Sequence, residues 1–352
     1  MTLPGMTSAE RVGAALGHRE ADRVPFLLLL TMHGARELGL TIRDYFARGE
    51  AVAEAQLRMQ ARYRHDCLYA FFYAALEVEA WGGEAIHRED GPPNTGGPIV
   101  RRAEDILGLT PPRVQDARCL HRVLEAISIL KARSHGVPII GVVMSPFSAP
   151  VMQLGFERYL EVMHERPDLL AHLMAVNEQF CVEWGNAQLR AGAHALCYFD
   201  PCSSPTITTP DVARRFGFAV ARRTISRFEG PAVTHMASGR CLPVVEDLRA
   251  TGTAAIGVSA LEDLEELKSA CRGRLAMFGN LNGVEMRRWD AARAEAAVKD
   301  ALSRAGPGGG FILSDAHGEI PYQVPEEVLD AVSSAVHRFG TYPLTWAVEE
   351  RA

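Results

Sequence analysis

Short apolar runs alternate with amphipathic stretches along the whole chain. The run 23–30 (RVPFLLLL) is continuously apolar after its first residue, as expected of a strand buried on both faces. Cys67–Tyr73 and 137–144 (VPIIGVVM) read the same way, followed by His194–Phe199, Pro231–Thr234, Ala254–Val258, Leu275–Phe278 and Gly310–Leu313. Helical patterning fills the spaces, as over Ala51–Arg62 and Phe156–Leu189. Several helix starts are spelled out. Thr7-Ser8-Ala9-Glu10 is a capping box. Thr209-Pro210-Asp211 offers an N-cap, a proline at the first helical position and an early acid. Ser259 with Glu262 predicts another cap, and Pro325 starts the last helix.

Eight strand candidates, near 26, 69, 140, 196, 233, 256, 277 and 312, separated by helices, predict parallel βα units. Eight such units predict an α/β fold of one closed (β/α)8 TIM barrel. The alternative, an open doubly wound sheet, calls for a glycine-rich phosphate turn after the first strand, and 31–35 (TMHGA) is not one. The 307–310 stretch (PGGG) precedes a strand rather than a helix and reads as a turn, not a phosphate cradle. No linker divides the chain, so residues 1–352 read as a single barrel domain, with the loop 91–98 (GPPNTGGP) at the centre of an excursion over the barrel at about 80–110.

Composition narrows the function classes. The 352 residues are 47% hydrophobic and 23% charged, a globular profile, and a chain of this length buries a large core without staples. A net charge of −6, with the cations scattered, excludes the basic stripe of a nucleic-acid binder. The most apolar run is far too short to span a bilayer, and Met1–Arg11 has no signal-peptide core. Seven cysteines, an odd number without regular spacing, read as free thiols in a reducing compartment, which places the protein in the cytoplasm.

In a barrel the site is built at the carboxyl ends of the strands. Those positions carry His33 and Arg36, then Tyr73, Glu77 and Glu79, then Ser145, then Asp200 and Cys202. Further on come His235, Ser259, Asn280, and the 315–319 segment (DAHGE) with Asp315, His317 and Glu319. His33, His235 and His317 converge if the barrel closes. Neutral imidazole and thiolate are natural zinc ligands, and Cys202 and Cys241 are close enough in sequence to join them. The HExxH, CxxC, Walker and GxSxG motifs are absent.

Taken in order, several segments at these strand ends resemble the uroporphyrinogen decarboxylase superfamily. They are 145–147 (SPF), Asp200-Pro201 with Ser203-Ser204, Thr209-Pro210-Asp211, His235, 279–281 (GNL), 315–321 (DAHGEIP) and 324–327 (VPEE). The resemblance implies a (β/α)8 barrel. One branch of the superfamily is the haem-pathway decarboxylase, which uses an Arg-x-x-x-Arg pair, an Asp after strand two, a Tyr after strand three and a His after strand eight. Arg36 and His317 stand at two of those positions, but Met32, Tyr73 and Met152 stand at the others.

The other branch resembles methylcobamide:thiol methyltransferases, which bind zinc through His-x-Cys after strand five and a Cys after strand eight. His235 matches the histidine, Ala237 replaces the first cysteine and His317 the second, leaving Cys202, Cys241 or Glu319 to complete a changed site. The DxHxxG base-off motif is not met by 315–320, so a corrinoid would arrive on a separate protein.

The resemblance therefore implies a corrinoid-linked methyltransferase, acting between a small-molecule substrate or thiol and a corrinoid protein. Its cofactors would be zinc, held by His235, His317 and Cys202, and methylcobalamin on the partner. His317, Asp200 and Arg36 are the expected catalytic residues, and His33, Tyr73, Asn280 and Ser145 the substrate contacts. A homodimer is compatible with this reading; nucleic acid and membrane are not expected partners. The first alternative is a carboxy-lyase for a smaller carboxylated molecule, with Arg36 holding the carboxylate and His317 as acid/base. The second is a ligand-binding barrel without turnover.

Overall fold

Seven of the eight apolar runs form one parallel sheet in the computed structural model, which describes residues 5–349. Its strands are β1 (Leu68–Tyr69), β2 (Ile139–Met144), β3 (Ala195–Phe199), β4 (Ala232–His235), β5 (Ala255–Gly257), β6 (Ala276–Leu281) and β7 (Phe311–Asp315). They neighbour one another in chain order, every pair parallel, with helices in the crossovers. This is the mixed α/β, barrel-like architecture that the alternation predicted.

The eighth position is filled differently from expectation. The run 24–30 lies beside β7 but forms only one parallel bridge, Phe26 to Leu313. Around it, Leu313 N donates to Pro25 O at 2.9 Å and Leu27 N to Leu313 O at 2.8 Å. On the other side Asp66 N donates to Phe26 O at 2.8 Å, just ahead of β1. Two local causes interrupt the ladder. Pro25 has no N–H to give, and the Phe26 N–H is taken by the Asp66 carboxylate at 3.0 Å.

The amino-terminal end is closed by the helix Ser8–Leu16, and the Thr7–Glu10 capping box forms with both of its arms. An ion network pins this helix. Asp66, with no exposed surface, accepts from Arg11 at 2.6 Å and Arg23 at 2.7 Å, and Arg11 also pairs with Asp22.

Thr209 caps its helix as expected, with Oγ1 accepting from Val212 N. The cap expected from Ser259 and Glu262 is made by Asp263 instead, which accepts from Glu265 N and Glu266 N at the start of Leu264–Cys271. Glu262 turns to the Cys241 and Leu242 N–H groups. The stretch 156–189 is two helices, Phe156–Glu165 and Pro167–Ala191, because the proline opens a new one. Pro325 does precede the helix Glu326–Phe339, but a short helix Thr345–Glu349 follows it.

The excursion after β1 holds the helix Ala75–Ala80, a two-residue hairpin pairing Ala85–Ile86 with Asn94–Thr95, and a 3-10 turn at Ala103–Gly108. Among the described residues, no helix is long and apolar enough to cross a membrane. All seven cysteines are free and buried. The expectations about Met1–Pro4 and Glu350–Ala352 lie outside the described residues.

Candidate active site

A cavity of about 450 Å3 opens where the strands end. Its floor comes from Met144, Phe199, His317 and Gly318, at or just beyond the ends of β2, β3 and β7. Phe71, Met152 and Phe156 form apolar walls, and Pro92, Pro93 and Asn94 reach it from the excursion. The polar groups in this lining include His317 and Glu319, and no Lys or Arg is among them.

The segment after β7 concentrates two acids and an imidazole. The Asp315 carboxylate turns back on its own chain, with Oδ2 accepting the His317 N–H at 2.7 Å and the Gly318 N–H at 2.9 Å. Its Oδ1 is buried without a partner. Burial pushes the Asp315 carboxyl up to about 7, against those stabilising N–H bonds. Glu319 accepts from the Thr31 hydroxyl at 2.5 Å. Burial raises its pKa to about 7 as well, and the neighbouring Asp315 charge adds to the shift.

Gly318 between them has φ +83, and a Cβ there would lie 2.3 Å from the Phe199 ring, so only glycine lets the turn close over that ring. Burial lowers the His317 pKa, leaving the imidazole neutral, with Nδ1 buried and unpartnered.

His235 lies below this turn rather than in the pocket wall. Its ring stacks on Phe199 at 4.9 Å and tilts against Phe278 at 5.4 Å. Burial, with His317 nearby, drives its pKa down to about 3. Ala237 and Ser238 both adopt left-handed backbone, φ 44 and 72, which costs about 1–3 kcal/mol per residue and aims the Ala237 N–H at His235 Nδ1, 2.8 Å away. Nδ1 is therefore the acceptor nitrogen, and the proton of the neutral ring sits on Nε2, a buried donor without a partner.

This arrangement does not suit zinc. A metal-bound histidine normally donates its second ring N–H to a carbonyl or carboxylate; here that nitrogen accepts, and the free nitrogen already carries the proton. Among the described residues, no three His, Cys, Asp or Glu side chains gather where one ion could bind them. The expected set of His235, His317 and Cys202 is thus not assembled as a metal group. The Cys202 thiol lines the pocket, but burial pushes its pKa to about 12, so it stays protonated.

Other expected residues are placed for other work. Asp200 is enclosed by three hydroxyls, accepting from Ser145 at 2.6 Å, Ser148 at 2.8 Å and Ser203 at 2.5 Å. Ser145 and Asp200 are thereby a buried tie between the ends of β2 and β3, outside the cavity wall. Arg36 donates to the carbonyls of Tyr322 at 2.5 Å and Val324 at 3.3 Å and lies over the Tyr322 ring at 4.6 Å. It holds the loop after β7 instead of facing a ligand.

His33 stands edge-on to the same Tyr322, with both ring nitrogens buried and unpartnered and its pKa lowered to about 3. Tyr73 donates to Glu79 at 2.5 Å in a cluster with Arg122. Asn280 donates to Ser259 O at 3.3 Å and lines a separate polar cavity on the outer side of β6. The structure brings His317 and Cys202 into the pocket and leaves Arg36, His33, Tyr73, Asn280, Ser145 and Asp200 outside its wall. Sequence reasoning offered Glu319 only as a possible metal ligand, and left Thr31 and the aromatic walls, Phe71 and Phe199, out of the site. Glu319 and Phe199 were visible by their position at strand ends, whereas Thr31 was hidden because its partner is 288 residues away.

The family model for uroporphyrinogen decarboxylase (URO-D) matches residues 7–339. The chain belongs to the uroporphyrinogen decarboxylase family. Within the family it is 24% identical to a uroporphyrinogen decarboxylase of Idiomarina loihiensis, over 96% of this chain and 98% of that protein. It is 27% identical to one of Thioalkalivibrio sulfidiphilus, over 83% and 84%. Among solved structures, a methyltransferase from Methanosarcina mazei superposes with a TM-score of 0.81, at 22% identity and covering 95% of this chain and 99% of that one. This likeness supports the barrel-like fold.

Proposed function

We propose that this family member catalyses methyl transfer, taking a methyl group from a small, mostly apolar methylated molecule to a nucleophile on a separate corrinoid protein. The observation that carries this reading is the cavity lining: apolar walls, no cation, and Glu319 held close to its protonated form near neutral pH. A porphyrinogen bears many carboxylates, and this lining offers no Lys or Arg to pair with them. In the proposed reaction the bond from methyl carbon to heteroatom breaks, a bond from that carbon to the acceptor forms, and the departing heteroatom takes its proton from Glu319. Thr31 holds the acid, and the walls of Phe71, Phe199 and Met152 position the substrate and exclude water. Phe156 and Ile207, 46% and 43% exposed at the rim, offer an apolar landing for a carrier protein. The corrinoid would supply the methyl acceptor. Zinc plays no part in this proposal, and the seven buried thiols accord with a cytoplasmic setting.

The test offers the enzyme a panel of O-, N- and S-methylated molecules with reduced cobalamin, follows methylcobalamin by its absorbance, and measures CO2 release from a carboxylate panel in parallel. Methylcobalamin is expected to form, with Glu319→Gln lowering kcat by about 100-fold or more while KM changes little. CO2 release without corrinoid methylation would overturn the proposal in favour of the carboxy-lyase reading that the relatives' names suggest.

A further inference from the structure

A second cavity, of about 380 Å3, opens at the other end of the sheet. The loop 307–310 runs directly into β7 and residues 271–275 directly into β6, so this cavity lies on the amino-terminal face, away from the pocket above. His18, Lys268, Cys271, Arg272 and the glycines 308–310 line it.

The glycines make the wall possible. All three have φ between 69 and 77. A Cβ at Gly309 would come within 2.5 Å of the Arg19 backbone, and one at Gly310 within 2.6 Å of His18 Nδ1. The chain therefore packs flat against the turn 18–19, and the cavity is left to side chains from the helix Leu264–Cys271.

Lys268 is the anomaly in this wall. It is 8% exposed, yet its ammonium makes one side-chain hydrogen bond, to the Gly309 carbonyl, and no ion pair among the described residues. Arg272, just past the end of this helix and exposed, also lacks an ion pair among the described residues, and its charge acts against that of Lys268. Glu20 is the acid that acts on Lys268, but its carboxylate is engaged by the Gly308 N–H at 2.8 Å. Buried charges are normally paired. Here the ammonium and a guanidinium line open space, and among the described residues neither has a carboxylate in ion-pair contact.

We propose that this cavity binds a phosphate group, free or as a small monoester, with Lys268 and Arg272 as its counter-charges. A doubly charged anion answers both cations at once, which a single carboxylate does not. Burial and Arg272 hold the Lys268 pKa down at about 8, and an anion in the cavity would restore it, so binding is expected to weaken as pH rises past 8. Cys271 and His18, the other titratable groups here, remain neutral: burial raises the first and lowers the second.

Isothermal titration of the full chain with inorganic phosphate, glycerol 3-phosphate and acetate at constant ionic strength tests the proposal. One saturable phosphate site per chain is expected, with Lys268→Met weakening it about tenfold or more, which corresponds to about 1.4 kcal/mol. Arg272→Ala, at an exposed position that does not threaten folding, is expected to weaken it about threefold. Tighter binding of glycerol 3-phosphate identifies a monoester as the ligand; equal or weaker binding identifies free phosphate. No saturable heat with either phosphate up to about 10 mM, acetate binding as tightly as phosphate, or affinity unchanged in both variants would overturn it.

Discussion

The two ends of the sheet treat a buried acid in opposite ways. At the amino-terminal end Asp66 is met by two guanidiniums, a backbone N–H and the Ser8 hydroxyl. At the carboxyl end Asp315 and Glu319 receive N–H and O–H groups but no cation, and both are pushed up to about 7. The first arrangement fixes a charge and ties chain segments together. The second keeps a proton poised near neutral pH, which is what acid catalysis needs and what stability does not. Glu319 is consequently a stronger candidate than Asp200, whose three serine partners make it resemble Asp66 as a tie between chain segments.

The contrast can be broken most forcefully at Asp66. Asp66→Asn leaves Arg11 and Arg23 facing a neutral group in a dry site and is expected to cost about 3–5 kcal/mol in urea unfolding. A loss under about 1 kcal/mol would show that the amino end is held by packing alone. Glu319 sharpens the comparison with the opposite sign. Its folded pKa lies above its ordinary value of 4.5, so its contribution to stability is complete below about pH 4.5 and is lost as pH rises towards 7. Glu319→Gln is therefore expected to match the wild type at pH 4.5 and to exceed it at pH 8 by on the order of 2 kcal/mol, read from paired unfolding curves. Equal pH profiles would mean that the acid is not held protonated. The smallest effect belongs to Arg36→Lys. Lysine keeps the charge but not the fork that reaches two carbonyls, so stability should fall by about 1 kcal/mol while kcat/KM stays within about twofold. A rise in KM of about tenfold or more for a carboxylated substrate would return Arg36 to the substrate-binding role the resemblance implied.

The βα alternation was legible because burial on both faces of a parallel strand leaves uninterrupted apolar runs. The run 24–30 has that composition too, yet it lacks a ladder because a proline and a side-chain acceptor remove two consecutive N–H groups. The proline stands in the sequence; the acceptor, Asp66, is 40 residues away. The site was legible by place more than by role. Strand-end position led to His317 and Cys202, which line the cavity, and equally to Asp200 and Arg36, which do not, because sequence shows where a polar group falls and not what already satisfies it. The serines around Asp200 and the carbonyls under Arg36 are tertiary facts. The zinc expectation depended on counting imidazoles. The residues as placed do not suit it, because the Ala237 N–H points at His235 Nδ1, a detail that no spacing reveals.

The unladdered run has a mechanical consequence for the acid. Thr31, whose hydroxyl holds Glu319, is attached to the end of this loosely bridged segment. A strand zipped on both sides would have to break several backbone hydrogen bonds in order to slide; this one is restrained near its tip chiefly by Ile320 N on Leu29 O and Gln56 on Leu30 O. Small axial creep of the segment, well short of unfolding, would lengthen the Thr31–Glu319 contact and remove a bond that favours the ionised acid. The seam in the sheet thus places the hydroxyl that holds Glu319 at the end of a segment with few ladder hydrogen bonds of its own.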